Sequence, residues 1–182
     1  MKILQSVAIS LMMLSLPGLA QQGAPANPLS SELRGARDYV QNLILRAAEK
    51  MPEENYAFKP APEVRSFGQI VGHIADAQFS LCSMVKGVAR PDVQVEKTKT
   101  TKADLIEALK ESDAFCSGVS ADLTDAKAVE LVKVWGQERT RLSALYGNTG
   151  HDMEHYGNLV TYMRIKGLVP PSSEPRPAPK AK

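Results

Sequence analysis

The segment HDMEHYGNLVTYMRIKG, residues 151–167, decides the fold class. Its apolar residues recur with the period of an α-helix, and the pattern extends back to about Glu138. Gly167 is of the residue type that most often ends helices, and the prolines at 170 and 171 prevent continuation. The sequence therefore predicts a long final helix that ends next to Gly167.

Three glycines fall inside this predicted helix: Gly147, Gly150 and Gly157. A glycine in a helix interior costs about 1 kcal/mol relative to alanine. Two reasons for accepting that cost are consistent with the sequence, namely close packing against another helix and room beside a binding site.

Three more helical patterns precede the final one. Hydroxyl residues that cap helix N-termini stand before them: Ser30 or Ser31, Ser66 and Thr101. Gln69 completes a capping box with the serine of the second helix. Residues that end helices follow the first two: Pro52 and Gly87. The pattern predicts an all-α four-helix bundle over residues 30–170.

The segment VELVKVWG, residues 129–136, has a strand-like composition that ends in a turn-forming glycine. It predicts a short hairpin before the last helix. The lone tryptophan, Trp135, is interpreted as a packing residue, with substrate recognition as the alternative. Beyond the bundle, residues 171–182 are rich in proline and lysine, which predicts a disordered tail.

The N-terminus resembles a secretory signal. Lys2 precedes an apolar run from Ile3 to about Leu16, and Gly18 and Ala20 are small residues at the −3 and −1 positions of a cleavage site. An uncleaved anchor is the alternative, but the run is shorter than the ~20 apolar residues that span a bilayer. We therefore expect a signal peptide at residues 1–20, a flexible leader at 21–29, and a periplasmic or secreted protein without stable membrane insertion.

Net charge bears on nucleic-acid binding, and cysteine content bears on disulfide formation. The formal net charge of the 182 residues is +2, too small to attract phosphate backbones, so nucleic-acid binding is not expected. Two cysteines, Cys82 and Cys116, fall on different predicted helices. Export permits a disulfide between them, and two buried thiols fit the spacing equally well.

All three histidines of the chain fall on predicted helices. His151 and His155 are four residues apart, so their imidazoles project from the same helix face. His73 lies among apolar residues of the second helix, where a histidine hydrogen-bonded in the core is the simpler interpretation. If the three meet, they suit Zn²⁺ or Ni²⁺ and leave one coordination position open.

Two segments resemble the DinB family of four-helix proteins. They are FGQIVGHIADAQ at residues 67–78 and the final segment quoted above, and the likeness extends over about residues 30–174. The resemblance implies that His73, His151 and His155 bind one divalent metal ion. It also implies a homodimer, and the family's name, which refers to damage-inducible genes, implies no contact with DNA.

Several neighbours of the histidines are candidates for supporting roles. Asp76 could orient a histidine or act as a catalytic base, whereas Glu154 faces away from His155 and is expected on the surface. Asn148 and Tyr162 could line a pocket, with core packing as the alternative for Tyr162. Two residues match the family's terminal pattern without an assigned role: Tyr156 and Arg164.

Three functions fit these observations. The first is a metal-dependent enzyme acting on a small molecule, either a hydrolase or a thiol transferase, as the family resemblance implies. The second is a metal-binding bundle with a structural or stress-related role and no turnover. The third is a bundle in which the histidines are ordinary core residues.

Overall fold

The computed structural model describes residues 26–175, and the predicted signal peptide lies outside them. Four long helices form the body of the fold: α1 (Pro28–Lys50), α2 (Phe67–Lys86), α4 (Lys102–Ala121) and α6 (Arg141–Ile165). Two single-turn helices, α3 (Val95–Thr98) and α5 (Asp125–Ala128), lie in the connections. Strands β1 (Leu131–Val134) and β2 (Gln137–Thr140) pair as an antiparallel hairpin. The predicted all-α four-helix bundle with a hairpin is confirmed.

The helix ends follow local signals. Ser66 accepts a hydrogen bond from the Gln69 amide while the Gln69 side chain accepts one from the Ser66 amide, so the predicted capping box is present. Gly87 and Gly167, with φ of +75° and +74°, end α2 and α6 in the left-handed conformation that glycine accepts without strain. These ends agree with the sequence patterns.

Two helices begin at residues other than those predicted. Helix α1 begins at Pro28, because proline fits the first helical position, and Ser30 instead hydrogen-bonds Asp125 through its amide and hydroxyl. Helix α6 begins at Arg141 instead of Glu138, because residues 137–140 pair with β1 and Thr140 supplies the cap.

Packing places the four long helices at the corners of a square. Helix α1 contacts α4 and α6, and α2 contacts the same two, so α1 and α2 lie on a diagonal. A disulfide joins Cys82 on α2 to Cys116 on α4, with the two Cα atoms 5.4 Å apart. Among residues 26–175, no helix combines the length and hydropathy needed to cross a bilayer.

The start of the predicted disordered tail is ordered. Residues Pro171–Ser173 form a 3-10 helix, in which the Ser172 amide donates to the Tyr156 hydroxyl and Ser173 accepts from Arg164. Glu174 is paired with Arg46 and Lys50. The disorder prediction is therefore wrong for residues 171–174, and residues 176–182 lie outside the described part. Tyr156 and Arg164 thus hold the chain end against the bundle.

A layer of buried polar side chains divides the core into two apolar clusters. Each long helix contributes to it: Gln41, Gln78, Ser112 and Asp152. Asp152 Oδ2 accepts hydrogen bonds from Gln41 Nε2 at 2.6 Å and Gln78 Nε2 at 2.9 Å, and Ser112 donates to Gln78 Oε1 at 2.7 Å. This layer lies beside the histidines and fixes the helices that carry them.

Candidate metal centre

The three histidines predicted as ligands meet between α2 and α6. His151 Nε2 lies 3.2 Å from His73 Nε2 and 3.1 Å from His155 Nε2. In a tetrahedral zinc site with Zn–N bonds of about 2.0–2.1 Å, two ligand nitrogens lie ~3.3 Å apart. The nitrogens are therefore already spaced for one ion, and the structure joins the helical pair to a histidine 78 residues away.

The electrostatics of the site favour neutral imidazoles. Burial, reinforced by the neighbouring His151 and His73, lowers the pKa of His155 from 6.5 to about 4. Burial and the Arg65 charge also lower the pKa of His73. A neutral imidazole has one lone pair to offer, and a metal ion requires that lone pair.

Carboxylates lie on the far side of two imidazoles. Glu96 Oε2 is 3.2 Å from His73 Nδ1, which places the proton on Nδ1 and leaves the Nε2 lone pair free. Asp152 Oδ1 is 3.5 Å from His151 Nδ1, and neither atom has a hydrogen bond. A small rotation of the His151 ring would pair these two buried atoms.

The third imidazole faces an amide. Asn158 lies 3.3 Å from His155 Nδ1, and a half-turn of the amide presents its oxygen to that nitrogen. All three Nδ1 atoms thus have a neighbour that can accept a hydrogen bond from them. With the protons on Nδ1, the three Nε2 lone pairs are free, and the ligand nitrogens of the three histidines lie within 4.8 Å of one another. This donor set fits a divalent metal ion.

No sequence pattern marks Glu96, and the contacts of Asp76 differ from those predicted. Instead of contacting a histidine, the Asp76 carboxylate accepts from the amides of Val95 and Glu96 at 3.0 and 2.9 Å, and from Arg90 at 2.9 Å. Asp76 therefore holds the α3 turn that brings Glu96 to His73. No spacing rule connects Glu96 with His73, because 23 residues and a loop separate them.

Gly72 allows this turn to approach α2. A Cβ atom at position 72 would lie 2.7 Å from Glu96 Cα and 2.9 Å from Glu96 N, closer than real atoms come. Only glycine therefore fits beneath Glu96. By contrast, the three glycines of α6 would place a Cβ in open space, so the interpretation of close helix packing is wrong for them.

Gly72→Ala tests this close approach. The clash with backbone should displace α3 and lower the free energy of unfolding by about 1–3 kcal/mol, while loss of Glu96 should weaken metal binding about tenfold or more. Gly118→Ala is the matched control, because it adds a methyl group in open space on α4 and should stabilise by ~0.5–1 kcal/mol. Chemical denaturation measures the stability of each variant, and metal titration measures its affinity. Equal stability and affinity of the two variants would contradict the close approach of α3 to Gly72.

A cavity of about 1020 Å³ opens beside the histidines. His73 and His151 line it, and Asn148 does so as predicted. Tyr162 is a core residue, with its hydroxyl donating to the Arg65 carbonyl at 2.6 Å. Glu154 is exposed, as expected. The interpretation of Trp135 as packing is wrong, since its side chain is 69% exposed at the cavity mouth.

Comparison with known proteins points to one family. The model of the DinB superfamily matches residues 37–159. An uncharacterized protein of Bacillus subtilis, YjoA, is 27% identical over 131 residues, which cover 70% of this chain and 84% of the relative.

Solved structures show the same fold. A DinB-like protein from Bacillus cereus has a TM-score of 0.68 at 15% identity, with 78% of this chain and 95% of that chain covered. The YjoA structure has a TM-score of 0.64 at 22% identity, with 76% and 94% covered. A conserved protein of Enterococcus faecalis has a TM-score of 0.62 at 16% identity, with 75% and 95% covered.

Proposed function

The chain belongs to the DinB superfamily, and from that premise we propose that it is an exported protein that binds one zinc or nickel ion through His73, His151 and His155 and acts on a small molecule. The convergence of three Nε2 atoms is the observation that carries this proposal. Three neutral imidazoles suit either ion. The metal would lower the pKa of a coordinated water or thiol, and the deprotonated group would then be a nucleophile at neutral pH.

The residues around the histidines hold and orient them. Glu96 is held by Arg65 through Oε1 at 2.9 Å while its Oε2 contacts His73. Asp76 has both oxygens engaged by α3 and Arg90, so we assign it a positioning role in place of a catalytic base. The open side of the histidines faces the cavity, and a substrate would enter from there.

Hydrolysis and thiol transfer are the two reactions of this proposal. The zinc- and nickel-loaded proteins should hydrolyse activated esters, or add thiols to electrophiles, at rates proportional to metal content. His155→Ala should reduce the rate to background, and Glu154→Ala, an exposed neighbour, should not. One metal ion per chain together with background rates in both assays would reject the proposed enzymatic activity.

A metal-binding bundle without turnover is the second candidate. One observation favours it: the two nearest carboxylates face the Nδ1 side of the imidazoles and not the Nε2 side. Glu96 contacts His73 Nδ1 and Arg65, while Asp152 accepts from amide donors through Oδ2 and lies 3.5 Å from His151 Nδ1 through Oδ1. Such a protein has no obvious proton acceptor beside the metal. It would keep its metal and gain stability from it while remaining inactive in both assays.

Export is the second part of the proposal. The N-terminal sequence pattern supports it, and the Cys82–Cys116 disulfide is consistent with it because structural disulfides persist in oxidising compartments. Expression of the full chain in a Gram-negative host should place the mature protein in the periplasm, starting at Gln21. A cytoplasmic protein that retains Met1 would reject export.

The disulfide should contribute strongly to stability. It closes a segment of 34 residues, and the loss of loop-closure entropy in the unfolded chain corresponds to about 3–4 kcal/mol. Replacing both cysteines by alanine should therefore lower the melting temperature by ~10 °C. Reduction of the wild-type protein should have the same effect and should not alter the double variant further. Identical melting of oxidised and reduced protein would contradict the bond.

A further inference from the structure

Trp135 occupies a position that packing does not explain. It is the one tryptophan of the chain, and 69% of it is exposed. Its backbone has a φ of +49°, and with Gly136 at +79° it forms the two-residue turn of the hairpin. Turns of this kind normally carry asparagine, aspartate or glycine, and a bulky residue there is strained. Strain of this kind concentrates at functional sites.

The indole stands at the mouth of the cavity that the histidines line. Ligand pockets commonly measure about 300–1,000 Å³, so a cavity of about 1020 Å³ accommodates a small molecule of several rings or residues. Trp135, His73 and His151 all line this one cavity. Trp135 is thus placed to contact the part of the substrate that does not react.

Two cations of the cavity wall are free to meet an anion. Asp76 pairs with Arg90, and Glu96 pairs with Arg65. Among the described residues, Lys97 and Arg139 line the cavity without a carboxylate partner, and Asp92 is the one unpaired carboxylate at the rim. Arg139 makes only a 3.2 Å contact with Gln137 in its own strand. The cavity lining carries three cations and three carboxylates, among which Lys97 and Arg139 have no ion-pair partner. The divalent ion of the proposed function would add positive charge beside these two cations.

We propose that Trp135, Arg139 and Lys97 bind a small anionic molecule with a flat apolar part, which lies on the indole while its charged group meets the two cations. The proposal rests on the proposed function for the identity of the reacting centre and specifies the substrate class of that centre. The flat part is recognised by stacking on the indole face, and Arg139 offers the planar donors that suit a carboxylate or phosphate.

Trp135 also supplies the measurement, because it is the one tryptophan and its fluorescence reports on the cavity mouth. We would titrate the zinc-loaded full chain with naphthylacetate, naphthylethanol and acetate. Naphthylacetate should quench Trp135 saturably and bind at least tenfold more tightly than either of the others. Equal affinity for naphthylacetate and acetate would assign binding to the metal alone and overturn the proposal.

Calorimetric titration of variants separates the contribution of the indole from that of the cations. Arg139→Gln should reduce the preference for naphthylacetate over naphthylethanol at least severalfold, with the remainder due to Lys97. Trp135→Asn should weaken naphthylacetate binding at least tenfold without lowering the melting temperature, because asparagine accepts the positive φ of the turn. Lys133→Gln is the matched control, since it removes a cation from the same hairpin outside the cavity lining. Unchanged affinity in Trp135→Asn would overturn the proposal.

The same titrations distinguish failure of this proposal from failure of the proposed metal site. Elemental analysis should give unchanged metal content in all three hairpin variants. If the wild-type protein holds no metal, the proposed function fails, yet naphthylacetate should still bind in a manner that depends on Trp135 and Arg139. If metal is stoichiometric and no probe perturbs Trp135, this inference fails alone. An emission change that follows protein concentration in place of ligand would assign the indole to contacts between copies and also overturn it.

Discussion

His151→Ala is expected to remove the metal almost completely. His151 is the central ligand, since its Nε2 atom lies within 3.2 Å of both other Nε2 atoms. Structural zinc sites bind with about 10–16 kcal/mol, so one of a few ligands accounts for roughly 3–4 kcal/mol, or a hundred- to thousandfold in Kd. Elemental analysis of tag-free protein should fall from one ion per chain to a trace.

The controls for this experiment distinguish coordination from folding. Glu154→Ala alters an exposed neighbour on the same helix and should retain the full metal content. His151→Cys restores a ligand and should recover cobalt or zinc binding in part. The absorption of the cobalt-loaded protein reports the coordination number directly. Full metal content in His151→Ala, or no metal in the wild-type protein, would show that the three histidines are ordinary core residues.

Asp152→Ala is expected to cause the second large effect. The carboxylate is completely buried, and Oδ2 accepts from Gln41, Gln78 and Asn148. Alanine would leave these amide donors without an acceptor in the middle of the core, at a cost of about 3–5 kcal/mol. The melting temperature should fall by ~10 °C or more. His151 would also lose the acceptor that faces its Nδ1, which should weaken metal binding about ten- to hundredfold.

Two further variants separate these roles of Asp152. Gln41→Ala removes one donor of the polar layer without touching a histidine, so stability should fall while metal affinity stays within about tenfold of wild type. Glu154→Gln replaces a nearby exposed carboxylate and should alter stability by less than ~0.5 kcal/mol. Calorimetric metal titration at a temperature where every variant is folded gives the affinity. Wild-type affinity and stability in Asp152→Ala would refute both roles.

The polar layer explains how one acidic residue affects both the fold and the site. It receives one side chain from each long helix, so each helix must hold a defined rotation to complete the hydrogen bonds. Apolar contacts alone would tolerate several rotations of a helix. Because His151 directly precedes Asp152, the rotation that buries the carboxylate also directs the imidazole toward His73.

Local sequence signals were sufficient for the helices and for part of the site. The capping box at Ser66, the glycine ends and the hairpin turn all act within a few residues, and the structure has each of them. The four-residue spacing of His151 and His155 likewise fixes their common face. The pairing with His73 came from the resemblance to DinB proteins, since no local rule relates residues on separate helices.

By itself, then, the sequence determined those features whose energy comes from neighbours along the chain: the four helices, the hairpin and one histidine pair. The tertiary structure alone decided that Glu96 supports His73, that Asp152 is buried behind His151, that Cys82 bonds Cys116, and that Trp135 is exposed at the cavity. Each of these depends on groups distant in sequence. Their contacts form only after the helices pack, because burial, hydrogen-bond satisfaction and charge pairing are properties of the packed arrangement.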